Sequence, residues 1–365
     1  MSSASDVFGM GPGSGMAKGP GSSSGATTRE LTSRGNAAAP WRHVDLTLVA
    51  SVLALVAFGI LMVYSATRTR LESEGLDPQH YLQRQALFVA VGLGVMIVVA
   101  LVDYRLVRDF APAVYLGTTA VLVGVLLFGA VQRGQQASFD LGPLQVQPSE
   151  FAKVALIVAI AAYVFAVRGE VDGRRMLVIL GIAAVPMGLV YLQPDLGTTL
   201  VFVAILFGML LVAGARARHL VALLLLGVGA MVMVVQLGVL KQYQLDRLTS
   251  FLDPQRGVQG PAYNLDQSKT AIGSGGLIGR GLFRGSQTNL SYVPEQHTDF
   301  IFTVVGEELG FAGSALLLVL FGVVVWRTWR TASLSKDLFG TLVCVGVVSM
   351  LVFQIFENAG MTMGI

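Results

Sequence analysis

The sequence predicts an all-α polytopic membrane protein with about nine transmembrane helices and one long extracytoplasmic loop between the seventh and the eighth. Three observations predict it. Apolar residues make up 54% of the chain and charged residues 13%, with a mean hydropathy of +0.68, which exceeds what a soluble core of this length needs. The apolar residues fall into runs close to the roughly 17 to 25 that a helix needs to cross the hydrocarbon. Lysine and arginine concentrate in alternate connections between those runs, as the orientation rule for membrane helices requires.

Residues 1–40 are rich in Gly, Ser and Ala and lack an apolar core long enough for a signal peptide, so they read as a disordered cytoplasmic tail. The membrane domain follows over residues 41–365. Its runs lie near 46–65, 86–102, 110–131, 151–167, 176–192, 196–214, 220–240, 309–326 and 338–357. No internal repeat is visible, which argues against an inverted-repeat transporter.

One set of alternate connections holds Arg105 and Arg108, then Arg168, Arg174 and Arg175, then Arg216 and Arg218, then Arg327, Arg330 and Lys336. The other holds Arg68, Arg70 and Arg84, then Arg133, then no basic residue between Leu192 and Leu196. The first set is therefore cytoplasmic, together with the N-terminus, which carries Arg34 and Arg42. This places the long loop, about 241–299, outside. Its mixture of apolar pieces with DPQR, SGGLIGRGL and VPEQHTD argues against disorder and for function.

Several classes of chemistry are excluded. The single cysteine, Cys344, lies in an apolar run, so neither a disulfide framework nor a thiolate metal site is available. No HExxH or clustered Cys/His spacing supports zinc, and His297 alone is a weak ligand. The basic residues are scattered over short connections, and a net charge of +3 gives no footprint for nucleic acid.

Three polar clusters fall at outer membrane edges: QPSEFAK (147–153), QPDLGT (193–198) and PEQHTDF (294–300). Ionisable groups at that depth are costly unless paired or lining a wet cavity, which makes them functional candidates. Glu150 and Lys153 stand three apart on one helical face and read either as a structural ion pair or as site residues. Asp195 reads either as a cap of the helix that follows or as a site carboxylate. Asp299 borders the apolar phase, where it is either a general base or a helix cap. The loop sequence GSGGLIGRGLFRG (273–285) lacks GxxxxGK[ST], so it reads as tight turns, with Lys269, Arg280 and Arg284 as alternative contacts for an anionic headgroup.

Together and in this order these clusters resemble the SEDS family (shape, elongation, division and sporulation; FtsW, RodA, SpoVE) of bacterial cell-wall synthesis. The likeness runs from about residue 41 to 365 through Asp45, LMVYSA (61–66), Arg84 and Gln85, the three clusters, AIGSGGLIGRG (271–281), GEELG (306–310) and NAGMTMG (358–364). The motif wording lies nearer RodA than FtsW. The resemblance implies a hexosyl-type glycosyltransferase of the cytoplasmic (inner) membrane that polymerises lipid II, an undecaprenyl-diphosphate-linked disaccharide pentapeptide, into glycan at the outer face, for elongation and cell shape or for division.

On that resemblance Asp299 is the catalytic base, and Glu150, Lys153, Asp195, Arg84 and Gln147 support it or line the donor site. Glu295 and His297 flank the base, and Lys269 is a candidate for charge compensation at the diphosphate. A divalent cation, Mg or Mn, is a possible cofactor and no organic cofactor is implied; the metal ligands are not identified. The implied partners are lipid II, the nascent glycan and a class B penicillin-binding protein that supplies the transpeptidase. A lipid II flippase and a non-catalytic scaffold for a transpeptidase are the alternatives; the gathering of the polar clusters on one side favours the transferase. Two departures stand out: Ser138 occupies the position where relatives commonly carry tryptophan, and the family's tenth helix would lie beyond Ile365.

Overall fold

The computed structural model describes residues 44–132, 135–141, 144–167, 171–236, 261–290, 292 and 295–364. The tail 1–40 and the first part of the long loop, 241–260, lie outside the described residues. Leu46–Ile365 forms one compact unit.

The first helical elements are α1 (Leu46–Ser73), α2 (His80–Leu101), the short α3 (Tyr104–Asp109) and α4 (Ala111–Phe128). Three short strands follow, β1 (Ala130–Gln132), β2 (Gln135–Leu141) and β3 (Leu144–Val146). Then come α5 (Pro148–Val167), α6 (Gly173–Leu192), α7 (Leu196–Val212), α8 (Ala217–Gln236), α9 (Pro261–Gly275), α10 (Ser286–Asn289), α11 (Ile301–Leu334) and α12 (Leu338–Met363). Among the described residues seven helices are long and apolar enough to cross a membrane, and the shorter apolar helices fall at the sixth and seventh runs. The protein is a multi-pass membrane protein.

Helix starts follow from side chains that satisfy the open N–H groups of the first turn. Asp103, Asp172, Asp195 and Asp337 each accept a hydrogen bond from a backbone N–H two or three residues on. Pro148 opens α5, where its missing N–H costs nothing. At the other end of α12, Gly364 closes the helix in the left-handed conformation, φ 78°.

The core forms around α5, α7 and α12, where Leu156, Ile157, Ile160, Phe202, Ile205, Met209 and Leu342 are fully buried. Small residues let these helices approach: a Cβ on Gly346 would run into Ile157, and one on Gly208 into Ser349. By contrast α2 has no buried residue and packs mainly along α1.

Three features depart from the pattern that hydropathy predicts. The connection between α4 and α5 is a small antiparallel sheet, order β1-β2-β3, with Phe139 opposite Val146 and Leu141 opposite Leu144. Its strands are too short and too polar to register as strands against the apolar runs that flank them. The eighth span begins at Ile301 rather than near 309, because a first helical piece, with Glu307 and Glu308 in it, is joined through a break at Gly310 (φ 65°, ψ −160°). The glycine-rich stretch 273–285 leaves the end of α9 as the exposed turns expected, but those turns hook onto that break instead of standing apart from it. Phe311 and Ala312 donate to the carbonyls of Gly276 and Leu277, and Arg280 and Gly281 donate back to those of Glu307 and Glu308. Side chains would prevent this approach, since a Cβ on Gly275 would collide with the Gly306 carbonyl and one on Gly279 with that of Glu308.

Candidate active site

Contacts between distant segments bring the three polar clusters to one end of the bundle. Asp195 caps α7 by accepting from Thr198 N at 3.0 Å and from Thr198 Oγ1 at 2.7 Å. Its second oxygen also accepts from Gln147 Nε2 at 3.2 Å, which ties QPDLGT to QPSEFAK. Close to that cap, the Glu357 carboxylate near the end of α12 lies against Gly197. The next residue, Asn358, donates to the backbone carbonyl of Asp299 at 3.1 Å. Arginine-rich connections gather at the opposite end, where Tyr104 donates to Asp337 at 2.9 Å and Arg108 lies 4.7 Å over the Phe165 ring.

Of the two readings for Asp195, the cap is present, with Gln147 added. The pair of Glu150 and Lys153 is also present, 2.8 Å apart, and its environment is asymmetric: the lysine side chain is 2% exposed and the glutamate 54%. Burying a lone ammonium costs several kcal/mol, so Glu150 keeps Lys153 tolerable inside the bundle. Asp299 does not cap α11. The N-cap is Phe300 and makes no side-chain hydrogen bond, and among the described residues the exposed Asp299 carboxylate has no hydrogen-bond or ion-pair partner.

A cavity of about 480 Å³ opens beside these groups, lined by Val63, Tyr81, Arg84, Gln85, Phe88, Ala137, Ser138, Gln145, Gln147, Glu295, His297 and Thr298. It therefore unites four residues picked from the sequence, Arg84, Gln147, Glu295 and His297, with Ser138 at the departure position. Ser138 is buried and accepts from Gln145 at 3.0 Å; where an indole would fill space, a hydroxyl and an amide now line it. Asp299 follows Thr298 directly in the chain. Lys269 is not brought to this cavity: it lies on α9 with its ammonium 2.5 Å from the Cβ position of Gly364.

The turn that carries Glu295, His297 and Asp299 is held by residues that sequence reasoning passed over. Gln296 is buried and donates to the carbonyls of Ala66 at 2.9 Å and Thr288 at 2.8 Å. Glu307 is fully buried and accepts from Gln287 N, Thr288 N and Thr288 Oγ1 at 2.8, 2.9 and 2.7 Å. Glu308, equally buried, accepts from Ser65 at 2.7 Å. The signal was present in GEELG, since two adjacent glutamates in an apolar helix demand donors, but their donors come from 19 to 243 residues away. Glu295 itself sits at φ 56°, a strained conformation that persists where the surroundings enforce it and that recurs at functional sites.

A family model described as cell cycle protein, that of FtsW, RodA and SpoVE, matches residues 46–365. The chain belongs to this family. Among its relatives, Stage V sporulation protein E of Bacillus subtilis is 36% identical over 88% of each chain. Peptidoglycan glycosyltransferase MrdB of Escherichia coli is 33% identical over 88% of this chain and 85% of its own. A probable peptidoglycan glycosyltransferase FtsW of Trichlorobacter lovleyi is 35% identical over 88% and 84%. These near-equal identities do not single out one branch of the family. The structure is similar to one solved in work on polymerization and crosslinking by a peptidoglycan synthase complex, with a TM-score of 0.73, 32% identity and 88% of each chain covered. It is also similar to the crystal structure of Thermus thermophilus rod shape determining protein RodA, with a TM-score of 0.64, 29% identity, and 88% of this chain and 86% of that one covered.

Proposed function

We propose that the protein is a peptidoglycan glycosyltransferase that polymerises lipid II at the outer face of the cytoplasmic membrane, releasing undecaprenyl diphosphate. The observation that carries this reading is the cavity that joins Arg84 and Gln147 to the turn ending at Asp299. Family membership supplies the reaction class, since relatives in two branches carry the name peptidoglycan glycosyltransferase. The separation of the arginine-rich connections from the end that holds the three clusters supports the outer face.

In this reading the donor's diphosphate binds at Arg84, with Gln85 and Gln147 donating beside it, and its lipid runs past Val63 and Phe88, which line the same cavity, along α2, a helix with no buried residue. Asp299, free of any capping bond, takes the proton from the acceptor sugar hydroxyl as that oxygen attacks the anomeric carbon. The carbon–oxygen bond to the diphosphate breaks, and the electron pair leaves with it toward the Arg84 guanidinium. One base and a good leaving group suffice for a single displacement with inversion, so a second carboxylate at glycosidase spacing is not needed. Among the described residues no three His, Cys, Asp or Glu are placed to hold a metal. A divalent cation is not built into these residues as a preformed centre. The chemistry it supplies when bound is neutralisation of phosphate charge, and Mg²⁺ commonly arrives on phosphates with one or two carboxylates.

A class B penicillin-binding protein is the proposed partner, in keeping with a structural neighbour solved in work on a synthase complex that polymerizes and crosslinks. Purified protein incubated with lipid II, with and without a divalent cation, tests the assignment. Wild type is expected to yield glycan polymer, and Asp299→Ala to yield at least about 100-fold less with an unchanged melting midpoint. Polymer made equally well by the variant removes Asp299 from the mechanism; lipid transport without polymer by wild type replaces the transferase with a flippase.

A further inference from the structure

The hook at Gly310 runs alongside α11 in a register fixed by four backbone hydrogen bonds. At one end the carbonyls of Gly276 and Leu277 accept from Phe311 and Ala312; at the other, Arg280 and Gly281 donate to the carbonyls of Glu307 and Glu308. Residues 309–326 hold no charged side chain, which makes them the part of α11 that lies in hydrocarbon. The first end of the hook is therefore level with the edge of that span, and the second lies four residues further out, about 6 Å at the rise of a helix. The side chains follow the same order. Leu277 and Ile278, 76% and 86% exposed, stand beside the exposed Phe311, and the exposed Arg280 and Arg284 come after them.

An apolar tip with cations about 6 Å above it matches a phospholipid monolayer, in which an interfacial element buries its apolar side by about 5 to 10 Å. The two arginines leave the same turn: Arg284 N donates to the Gly281 carbonyl at 3.1 Å, and Arg284 Cδ lies 3.5 Å from where a Cβ on Gly281 would stand. Arg280 donates through Nε to the Ser274 carbonyl at 3.3 Å and through Nη1 to Ser286 Oγ at 2.8 Å. These bonds orient the guanidinium and leave its other N–H groups open. Arg284 has no side-chain hydrogen-bond or ion-pair partner among the described residues. Between Asp266 and Glu295 the chain holds no acid, and Glu307 and Glu308 behind the hook are fully buried and bonded to donors of their own. The outward face of the hook is thus cationic without compensation.

We propose that the hook is a binding site for an anionic phospholipid, with Arg280 and Arg284 on the phosphate and Leu277 and Ile278 among the acyl chains. Guanidinium suits a phosphate in geometry as well as in charge. The site bears on the turn that ends at Asp299. Ser286, which holds Arg280, also donates to Glu307 at 3.3 Å, and Glu307 orders Thr288, whose carbonyl accepts from Gln296 of that turn. An occupied phosphate site steadies this chain of contacts, so polymerisation rises with the anionic fraction of the bilayer. That consequence rests on the transferase reading; the lipid site does not.

The probe is phosphatidylglycerol, mixed with phosphatidylcholine in nanodiscs that hold the full chain, and its retention is read by native mass spectrometry. Two variants disable the site: Arg280→Gln with Arg284→Gln, and Arg284→Glu alone, which leaves the bonds of Arg280 in place. Retention by wild type, cut at least about fivefold in both variants, is expected. Equal retention by the variants overturns the site, as does displacement of the phospholipid by undecaprenyl diphosphate, which would hand the arginines to the prenyl lipid. A spin label on Ile278→Cys, in a Cys344→Ser background, is expected to be more open to oxygen than to a water-soluble nickel chelate; the reverse overturns the placement of the tip among acyl chains. Polymer yield from wild type is expected to rise at least about twofold when phosphatidylglycerol is added, and that from Arg284→Glu to stay level; equal rises overturn the link to the turn. A wild type that retains the phospholipid at these arginines yet makes no glycan in either bilayer upholds the lipid site and overturns the transferase reading instead.

Discussion

The carboxylate of Glu307 accepts hydrogen bonds from both the backbone N–H and the hydroxyl of Thr288, at 2.9 and 2.7 Å. Thr288 in turn accepts from Gln296, so a charge buried in the membrane-facing helix α11 sets the position of the turn that ends at Asp299. Glu307→Ala would leave these donors buried without an acceptor, at a cost of about 3 kcal/mol or more. The expected outcome is a much lower melting midpoint in detergent, with Glu307→Asp recovering part of it.

Gln296→Ala acts further along the same chain and removes a donor from two carbonyls instead of a charge. A stability loss of about 1 to 2 kcal/mol is expected. Activity should fall further than that, by about 10- to 100-fold, because a displacement of about 1 Å at a reacting group costs that much. Polymer yield per folded protein, measured beside the melting midpoint, checks it; parallel losses in the two would reduce Gln296 to a structural role.

At Asp195 the cap and the contact to Gln147 can be separated. Asp195→Asn keeps an oxygen for Thr198 N and should melt close to wild type, whereas Asp195→Ala loses the cap at about 1 kcal/mol. Both variants alter the group that orients Gln147, so a polymerisation defect present in the alanine variant alone would show that capping is all this residue does.

For the pair on α5, the two deletions should differ in sign. Lys153→Met removes a cation that is 2% exposed and replaces it with an apolar side chain of similar length, leaving stability unchanged or raised. Glu150→Gln leaves that cation buried without its partner and should cost about 1 to 3 kcal/mol, reduced from the fully buried case because the glutamate is half exposed. Thermal melts of the two variants side by side decide it.

Gly310 tests the hook. Gly310→Ala must hold a side chain at φ 65°, with its Cβ in collision with the backbone N of Gly279; a loss of about 2 to 4 kcal/mol is expected. Gly322→Ala in the same helix meets nothing within 4 Å and should be neutral or stabilising by up to about 1 kcal/mol. Both are read as shifts in melting midpoint.

The sequence by itself determined the spans, the arginine-rich connections and the polar clusters, because hydropathy, charge and capping are properties of neighbouring residues. Helices α1, α2, α4 to α8 and α12 answer to runs visible in the chain, and the Asp195 cap and the pair of Glu150 and Lys153 follow from spacings of three. Only the tertiary structure decided which clusters touch. It put Gln147 on Asp195, freed Asp299 from capping, left Lys269 outside the cavity at Arg84 and docked the turns of GSGGLIGRGLFRG onto the break at Gly310. The physical reason lies in separation along the chain. Ser65 meets Glu308 across 243 residues, and a buried carboxylate declares that it needs donors without saying where in the chain they lie.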